Sequence, residues 1–275
     1  MSIKIIATDL DGTLMAPDHL TVTERTKKAL YEAHKKGVKI AIATGRTLSF
    51  VDYVVDQIPF VDYIVHSNGA AVYDRSSGKY IYTNLVSPQV TEKAVKLLNS
   101  LSVYYNVYMD GTTYVQKGSE KYFVNADLPT VFLEAFSSKC AYCDDMEAQV
   151  KGKGAELIDV FYNNDEQKKT VFDFFEENNV FMASALAGVV SGTAIGADKG
   201  TALDGMCKAL GIKPEEAMTF GDASNDATML EYAYYSFAME NGDEICKAKA
   251  RFSAPSNADD GVAQMVEKYV LNGDL

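Results

Sequence analysis

Apolar residues near the start of the chain fall in short blocks, at 3–8, 38–43 and 63–66, with a helical stretch over 23–36 between the first two. Blocks apolar on both faces and joined by helices predict a parallel sheet with crossover helices, and a short helix is expected after Arg46. From residue 70 to about 188 the pattern changes. Alternating, tyrosine-rich segments at 80–82, 104–109 and 114–116 are separated by the turn signals Ser77-Gly78 and Asp110-Gly111, which predicts antiparallel hairpins mixed with helices at 91–101 and 166–178. The first rhythm returns at Asp198, with a helix to 210, a strand at 217–220, a helix at 225–232 and a strand at 235–239. A helix from 243, a short strand near 252 and a last helix over 261–271 follow.

The fold class predicted is therefore α/β, a doubly wound parallel-sheet (Rossmann-like) core carrying an inserted α+β domain. The core takes residues 1–83 and 189–275, and the insertion takes 84–188. A length of 275 residues, beyond the usual single domain, fits this division.

Composition narrows the partners. Hydrophobic residues at 47% and charged residues at 23% describe an ordinary globular protein. A net charge of −12 argues against nucleic acid and anionic membranes, both of which need a basic surface, so an anionic substrate must be attracted locally. The opening MSIKIIATDL lacks the pattern of a secretory signal. The longest uncharged segment, 181–197, is broken by Ser, Gly and Thr and falls short of the ~20 apolar residues that span a bilayer. Cys140, Cys143, Cys207 and Cys246 are too few for a disulfide scaffold and are expected to be reduced thiols. The expectation is a cytoplasmic protein acting on a small molecule, with no obligatory protein partner.

In open parallel sheets ligands bind at the carboxyl ends of the strands, so the residues just after each strand hold the candidate chemistry. They are Asp9 and Asp11 after the first strand, Thr44-Gly45-Arg46 after the second, Ser67-Asn68-Gly69 after the third, and Gly221-Asp222 through Asn225-Asp226 after a later one. Asp198-Lys199-Gly200 opens a helix. Several carboxylates converging on one sheet edge repel one another unless a cation lies among them, and oxygen-only ligands select a hard ion, Mg²⁺ first. Asp222 and Asp226, four apart across a helix start, are expected to share one face and address one ion. Gly12 in a tight turn, the Thr44 hydroxyl and the Gly45 amide offer donors to a tetrahedral anion, and Lys199 adds a charge at a helix N-terminus. A carboxylate nucleophile, a metal, a lysine and an amide cradle together describe phosphoryl transfer.

The four motifs, in order, are Asp9-x-Asp11-Gly12-Thr13, Thr44-Gly45-Arg46, Lys199-Gly200, and Gly221-Asp222-x-x-Asn225-Asp226-x-x-Met229-Leu230. With Asn68-Gly69 and the tail from Ser256 to Ala263, they resemble the haloacid dehalogenase superfamily of phosphatases, in its Cof-type branch with a large α+β cap. The resemblance implies that Asp9 attacks phosphorus to form an aspartyl-phosphate, while Asp11 acts as acid and then as base. It implies Mg²⁺ ligation by Asp9, Asp222 and the Asp11 carbonyl, with Asp226 supporting the metal site. Phosphate would be held by Leu10 (through its backbone), Thr44, Gly45, Lys199 and Asn225. Arg46 and Asn68 are substrate-contact candidates, and Asn257 stands behind the site. One departure precedes the lysine, where Gly192 to Asp198 lacks the Pro-Gly-containing turn of many relatives.

Plainer readings compete. Asp9 alone can be a turn former and Asp222 a helix cap, but not jointly with Thr44 and Lys199. Arg46 either touches substrate or pairs with a nearby acid. Cys140-x-x-Cys143 has half of a zinc spacing with no second half, which favours packing. His66 reads as a buried, hydrogen-bonded residue, and Tyr104, Tyr105, Tyr108 and Tyr114 as sheet-face residues before sugar-stacking ones. The reading is a Mg²⁺-dependent phosphatase for a small phosphate monoester, a sugar phosphate first. The rivals are a sugar phosphomutase and a non-catalytic regulatory protein retaining the fold.

Overall fold

The computed structural model describes residues 2–123, 136–183 and 188–273. Of the insertion expected at 84–188, residues 124–135 and 184–187 lie outside the described residues.

In chain order the strands are β1 (Ile5–Thr8), β2 (Lys39–Ala43), β3 (Tyr63–His66), β4 (Ala71–Asp74), β5 (Lys79–Thr83), β6 (Tyr104–Met109), β7 (Thr112–Gln116), β8 (Ala141–Cys143), β9 (Leu157–Phe161), β10 (Val180–Ala183), β11 (Val189–Ala194), β12 (Ala217–Gly221), β13 (Tyr235–Met239) and β14 (Phe252–Ala254). The chain divides into two compact units. The first is Met1–Arg46, Val51–Thr83 and Asp198–Leu275, and the second is Thr47–Phe50 with Asn84–Ala197.

The first unit is built on one sheet in the order β14-β13-β12-β1-β2-β3-β4-β5. The strands from β14 to β3 are parallel, whereas β4 and β5 add an antiparallel hairpin edge. Ile5, Ala7, Ala41, Ala43 and Val65 pack on one face against Ala202, Leu203 and Met206 of the helix Lys199–Leu210. The alternate residues Ile6, Ile40 and Ile42 are equally buried, so the sheet is covered on both faces, which is why these strands read as continuous apolar runs. β1 lies between β12 and β2, and the chain leaves it toward β2 while returning later to β12. That reversal opens a crevice at the carboxyl end of β1, where Asp9 follows.

Local signals set the helix ends. Thr23 caps the helix Glu24–Lys35, and Asp198 caps Lys199–Leu210 by accepting the Thr201 N–H, with Gly211 in the left-handed region closing it. The region expected as a helix over 261–271 is an α-helix only through Val266, followed by a wider turn, Glu267–Leu271, that Arg25 ties back through Glu267.

Among the described residues the second unit has a six-stranded sheet in the order β10-β11-β9-β6-β7-β8. The helices Pro88–Leu101, Met146–Val150 and Asp165–Glu177 share its core, where Val95, Leu98, Val171 and Phe175 meet Tyr105, Val107, Ile158 and Val160. Asp110 and Gly111 both take positive φ in the β6–β7 hairpin, as their types predict. The return to the first unit comes at Asp198 and not at 189, because β11 is hydrogen-bonded on both sides, to β9 and β10. The tyrosines have partners within this unit. Tyr105 donates to Asn99, Tyr108 donates to Asp159 at 2.6 Å, and Tyr104 meets Phe123 and Phe161 edge-on. No helix among the described residues is long and apolar enough to cross a membrane.

Candidate active site

Asp9 follows the central strand directly, and its N–H bonds to the Phe220 carbonyl of neighbouring β12 at 3.0 Å. The chain then turns tightly, with Leu14 N–H on the Asp9 carbonyl and Met15 N–H on the Leu10 carbonyl. Gly12 has φ +75°, and a Cβ there would stand 2.3 Å from Asp222 Oδ2. Only glycine supplies both the left-handed backbone and the room. Two residues without a role in the sequence reading hold this turn in place. Thr13 donates its hydroxyl to Asp222 Oδ1 at 2.6 Å, and Asn241 donates to the Gly12 carbonyl at 2.8 Å. Asn257 supports the same turn by donating to the Met15 carbonyl at 2.9 Å.

Lys199 is buried, and its Nζ lies 2.6 Å from both Asp9 Oδ1 and Asp226 Oδ1. Burial alone would lower the lysine, but the two carboxylates outweigh it and hold the ammonium above its ordinary range. Asp9 is 6% exposed. Its carboxyl is pushed up from an ordinary 3.8 to about 7, because burial and the neighbouring carboxylate of Asp226 oppose ionisation more than Lys199 favours it. Asp222 is also raised, chiefly by burial, against the hydrogen bond from Thr13.

Asp226 corrects one expectation. Asp222 and Asp226 do not share a helix face: Asp222 lies in the loop after β12, and Asp226 ends the 3₁₀ turn Ser224–Asp226. The carboxylate instead folds back, with Oδ2 accepting the N–H groups of Asp222 and Ala223 at 3.0 and 3.1 Å. Both of its oxygens are thus engaged, one by the loop and one by Lys199.

Oxygens of Asp9, Asp222 and Asp226 lie within 4.8 Å of one another. Three carboxylates face one ammonium, and Asp9 Oδ2 and Asp222 Oδ2 carry no hydrogen bond among the described residues. The excess negative charge and an all-oxygen donor set fit a hard divalent cation. The Asp11 side chain stands outside this cluster. Its carboxylate takes Arg46 Nε at 2.9 Å and Nη2 at 2.6 Å, and Arg46 Nη1 continues to Tyr53 Oη at 2.5 Å.

The remaining predicted residues gather around the ends of β2 and β3. Thr44 is buried, and its Oγ1 accepts the Arg46 N–H at 3.1 Å, which leaves the hydroxyl proton to donate elsewhere. Gly45 lies against the Asn68 amide, and Asn225 donates to Asn68 Oδ1 at 3.1 Å. Asn68 takes φ +54°, a conformation asparagine tolerates better than most residues. Leu10 has a fully buried side chain, so it can offer substrate only its backbone. His66 is buried, with Nδ1 3.1 Å from Ser67 Oγ and its ring beside Tyr80. Cys140 and Cys143 direct their sulfurs to the carbonyls of Phe136 and Val115, and all four cysteines are free thiols.

A family model described as haloacid dehalogenase-like hydrolase matches residues 6–266. Phosphatase YwpJ of Bacillus subtilis (strain 168) is 28% identical over 294 residues, covering 98% of this chain and all of that protein. The 5-amino-6-(5-phospho-D-ribitylamino)uracil phosphatase YbjI of Escherichia coli (strain K12) is 28% identical over 283 residues, covering 98% of this chain and 97% of its own. The crystal structure of TM0651 from Thermotoga maritima shares the fold, with a TM-score of 0.81 at 24% identity over 97% of each chain.

Proposed function

The chain belongs to the haloacid dehalogenase-like hydrolase family, and from that premise we propose that it is a Mg²⁺-dependent phosphatase that hydrolyses a small phosphate monoester through a phosphoryl group carried on Asp9. One observation carries the reading: Asp9, buried after the central strand, shares Lys199 with Asp226 and lies in a carboxylate cluster with Asp222.

The residues fit their roles chemically. Mg²⁺ would be held by the carboxylates of Asp9 and Asp222 and the backbone carbonyl of Asp11, and when bound it supplies positive charge that lets an anionic nucleophile meet an anionic phosphate. Asp226 would support the metal site by fixing Lys199 and the Asp222 loop. Lys199, the Thr44 hydroxyl, the amides of Leu10 and Gly45, and Asn225 hold the phosphoryl oxygens, and Asn68 steadies Asn225. In the first step the Asp9 carboxylate bonds to phosphorus while the ester P–O bond breaks, and Asp11 gives its proton to the departing oxygen. In the second step water attacks phosphorus, Asp11 takes its proton, and the bond to Asp9 breaks to release phosphate.

For the substrate we take a sugar or sugar-alcohol phosphate, supported by the phosphoribityl substrate named for the relative YbjI. The inserted unit serves as the cap that selects it. Free thiols at all four cysteines support a reducing, cytoplasmic setting.

The test is a panel of phosphorylated metabolites, with p-nitrophenyl phosphate included, assayed for phosphate release with Mg²⁺ and with excess chelator. Release from at least one sugar phosphate that chelator abolishes is expected. No release from any member with Mg²⁺ present would overturn the reading. Dependence on an added sugar bisphosphate would favour a mutase.

A further inference from the structure

The carboxylate of Asp11 is held by a chain of side chains that the reaction scheme does not use. Arg46 contacts both of its oxygens, Nε with Oδ2 at 2.9 Å and Nη2 with Oδ1 at 2.6 Å. The third corner of the guanidinium, Nη1, donates to Tyr53 Oη at 2.5 Å, and the group lies 5.5 Å from the centre of the Tyr53 ring. Tyr53 is itself fixed. Its hydroxyl lies 3.3 Å from the His19 carbonyl and 3.4 Å from Met15 Sδ, at the far end of the turn that begins at Asp9. His19 closes the loop with Nδ1 3.3 Å from Asp11 Oδ1.

We propose that Tyr53 is a positioning residue for the phosphatase reaction: through Arg46 it fixes the plane of the Asp11 carboxyl so that Oδ2 faces the departing oxygen with a lone pair to spare. The inference rests on the acid role proposed for Asp11.

The physical argument concerns orientation. An aspartate carboxyl that is 40% exposed, as this one is, turns freely about its last bond unless something grips both oxygens. The planar arginine fork does so, and lysine could not. The fork needs its own anchor, because a long side chain gripped at one end keeps its rotamer freedom. Tyr53 supplies that anchor at the opposite corner. Each carboxylate oxygen accepts two hydrogen bonds, and among the described residues Oδ2 receives only Arg46 Nε, so one position on it remains for the transferred proton. With two of its corners on Asp11 and the third on Tyr53, Arg46 acts on the reaction through Asp11 and not as a phosphate clamp.

A misplaced acid hurts only reactions that need one. p-Nitrophenolate departs without a proton, whereas phenolate, of nearly the same shape, departs poorly without one. The test compares kcat/KM for p-nitrophenyl phosphate and phenyl phosphate with Mg²⁺, a ratio that covers steps only through departure of the leaving group. Tyr53→Phe, which removes one oxygen and keeps the ring, should lower kcat/KM about tenfold for phenyl phosphate and less than about twofold for p-nitrophenyl phosphate. Arg46→Lys should widen the gap between the substrates further. Equal losses for both substrates, no loss for either, or a gain for phenyl phosphate would overturn the proposal. A wild-type protein that releases phosphate from neither aryl ester and from no member of the metabolite panel would instead overturn the phosphatase reading itself, so the two failures are distinguishable.

Discussion

Thr13 and Asp222, 209 residues apart, are joined by a hydrogen bond of 2.6 Å that turns one carboxylate oxygen toward the β1 turn and leaves the other over Gly12. The bond orients a proposed metal ligand without touching the metal. Thr13→Val keeps the shape and removes the donor. We expect the Mg²⁺ concentration for half-maximal activity to rise about tenfold with little change in melting temperature, and an unchanged requirement would refute the orienting role.

Gly12→Ala tests the close approach beneath that oxygen. The left-handed backbone alone costs an alanine about 1–2 kcal/mol, and its methyl would displace the Asp222 carboxylate. A lower unfolding midpoint and a loss of Mg²⁺-dependent turnover are expected together in denaturant titration and activity assay.

Asp226 separates support from ligation. Asp226→Ala leaves the Lys199 ammonium buried against one carboxylate and strips the acceptor from two loop amides. The expected loss is about 3–5 kcal/mol of folding stability, measured by chemical denaturation in the absence of Mg²⁺. Loss of metal affinity at unchanged stability would make Asp226 chiefly a ligand.

Burial raises Asp9 from 3.8 to about 7 without a metal, which gives a signed pH effect. A carboxyl raised on folding adds stability that is complete below about 4 and is lost as pH climbs through about 7. Chelator-treated protein should therefore gain stability from this group as pH falls from 8 to 6. Mg²⁺ has to displace the same proton, so its affinity should fall about tenfold per pH unit below 7 and level off above it. Calorimetric titration with Mg²⁺ from pH 5.5 to 8.5 would show this, and a flat profile would contradict it.

Much of this site was legible because it lies where strands end. Asp9, Thr44, Asn68 and Asp222 each follow an apolar run, and Asp198 before Lys199 is a recognisable helix cap. The family match over residues 6–266 bears out the resemblance that these motifs carry. Thr13 stood in the first motif with nothing to show its partner, and Asn241 and Tyr53 left no such trace. Their partners Asp222, Gly12 and Arg46 meet them only through tertiary folding, and a threonine or tyrosine bonds as well in many other places. The spacing of Asp222 and Asp226 was visible, but it works through a folded-back loop and not a helical face. β11 was hidden for a different reason: Ser, Gly and Thr interrupt its apolar residues, yet Gly192 fits within a strand because the Phe175 ring lies where its Cβ would be.

The central claim is that Asp9 receives the phosphoryl group. Phosphate release by Asp9→Asn protein, on a substrate that the wild type hydrolyses with Mg²⁺, tests it most directly. Turnover should fall by at least about a thousandfold while the circular dichroism spectrum stays native. Release within a few fold of the wild-type rate would contradict the account.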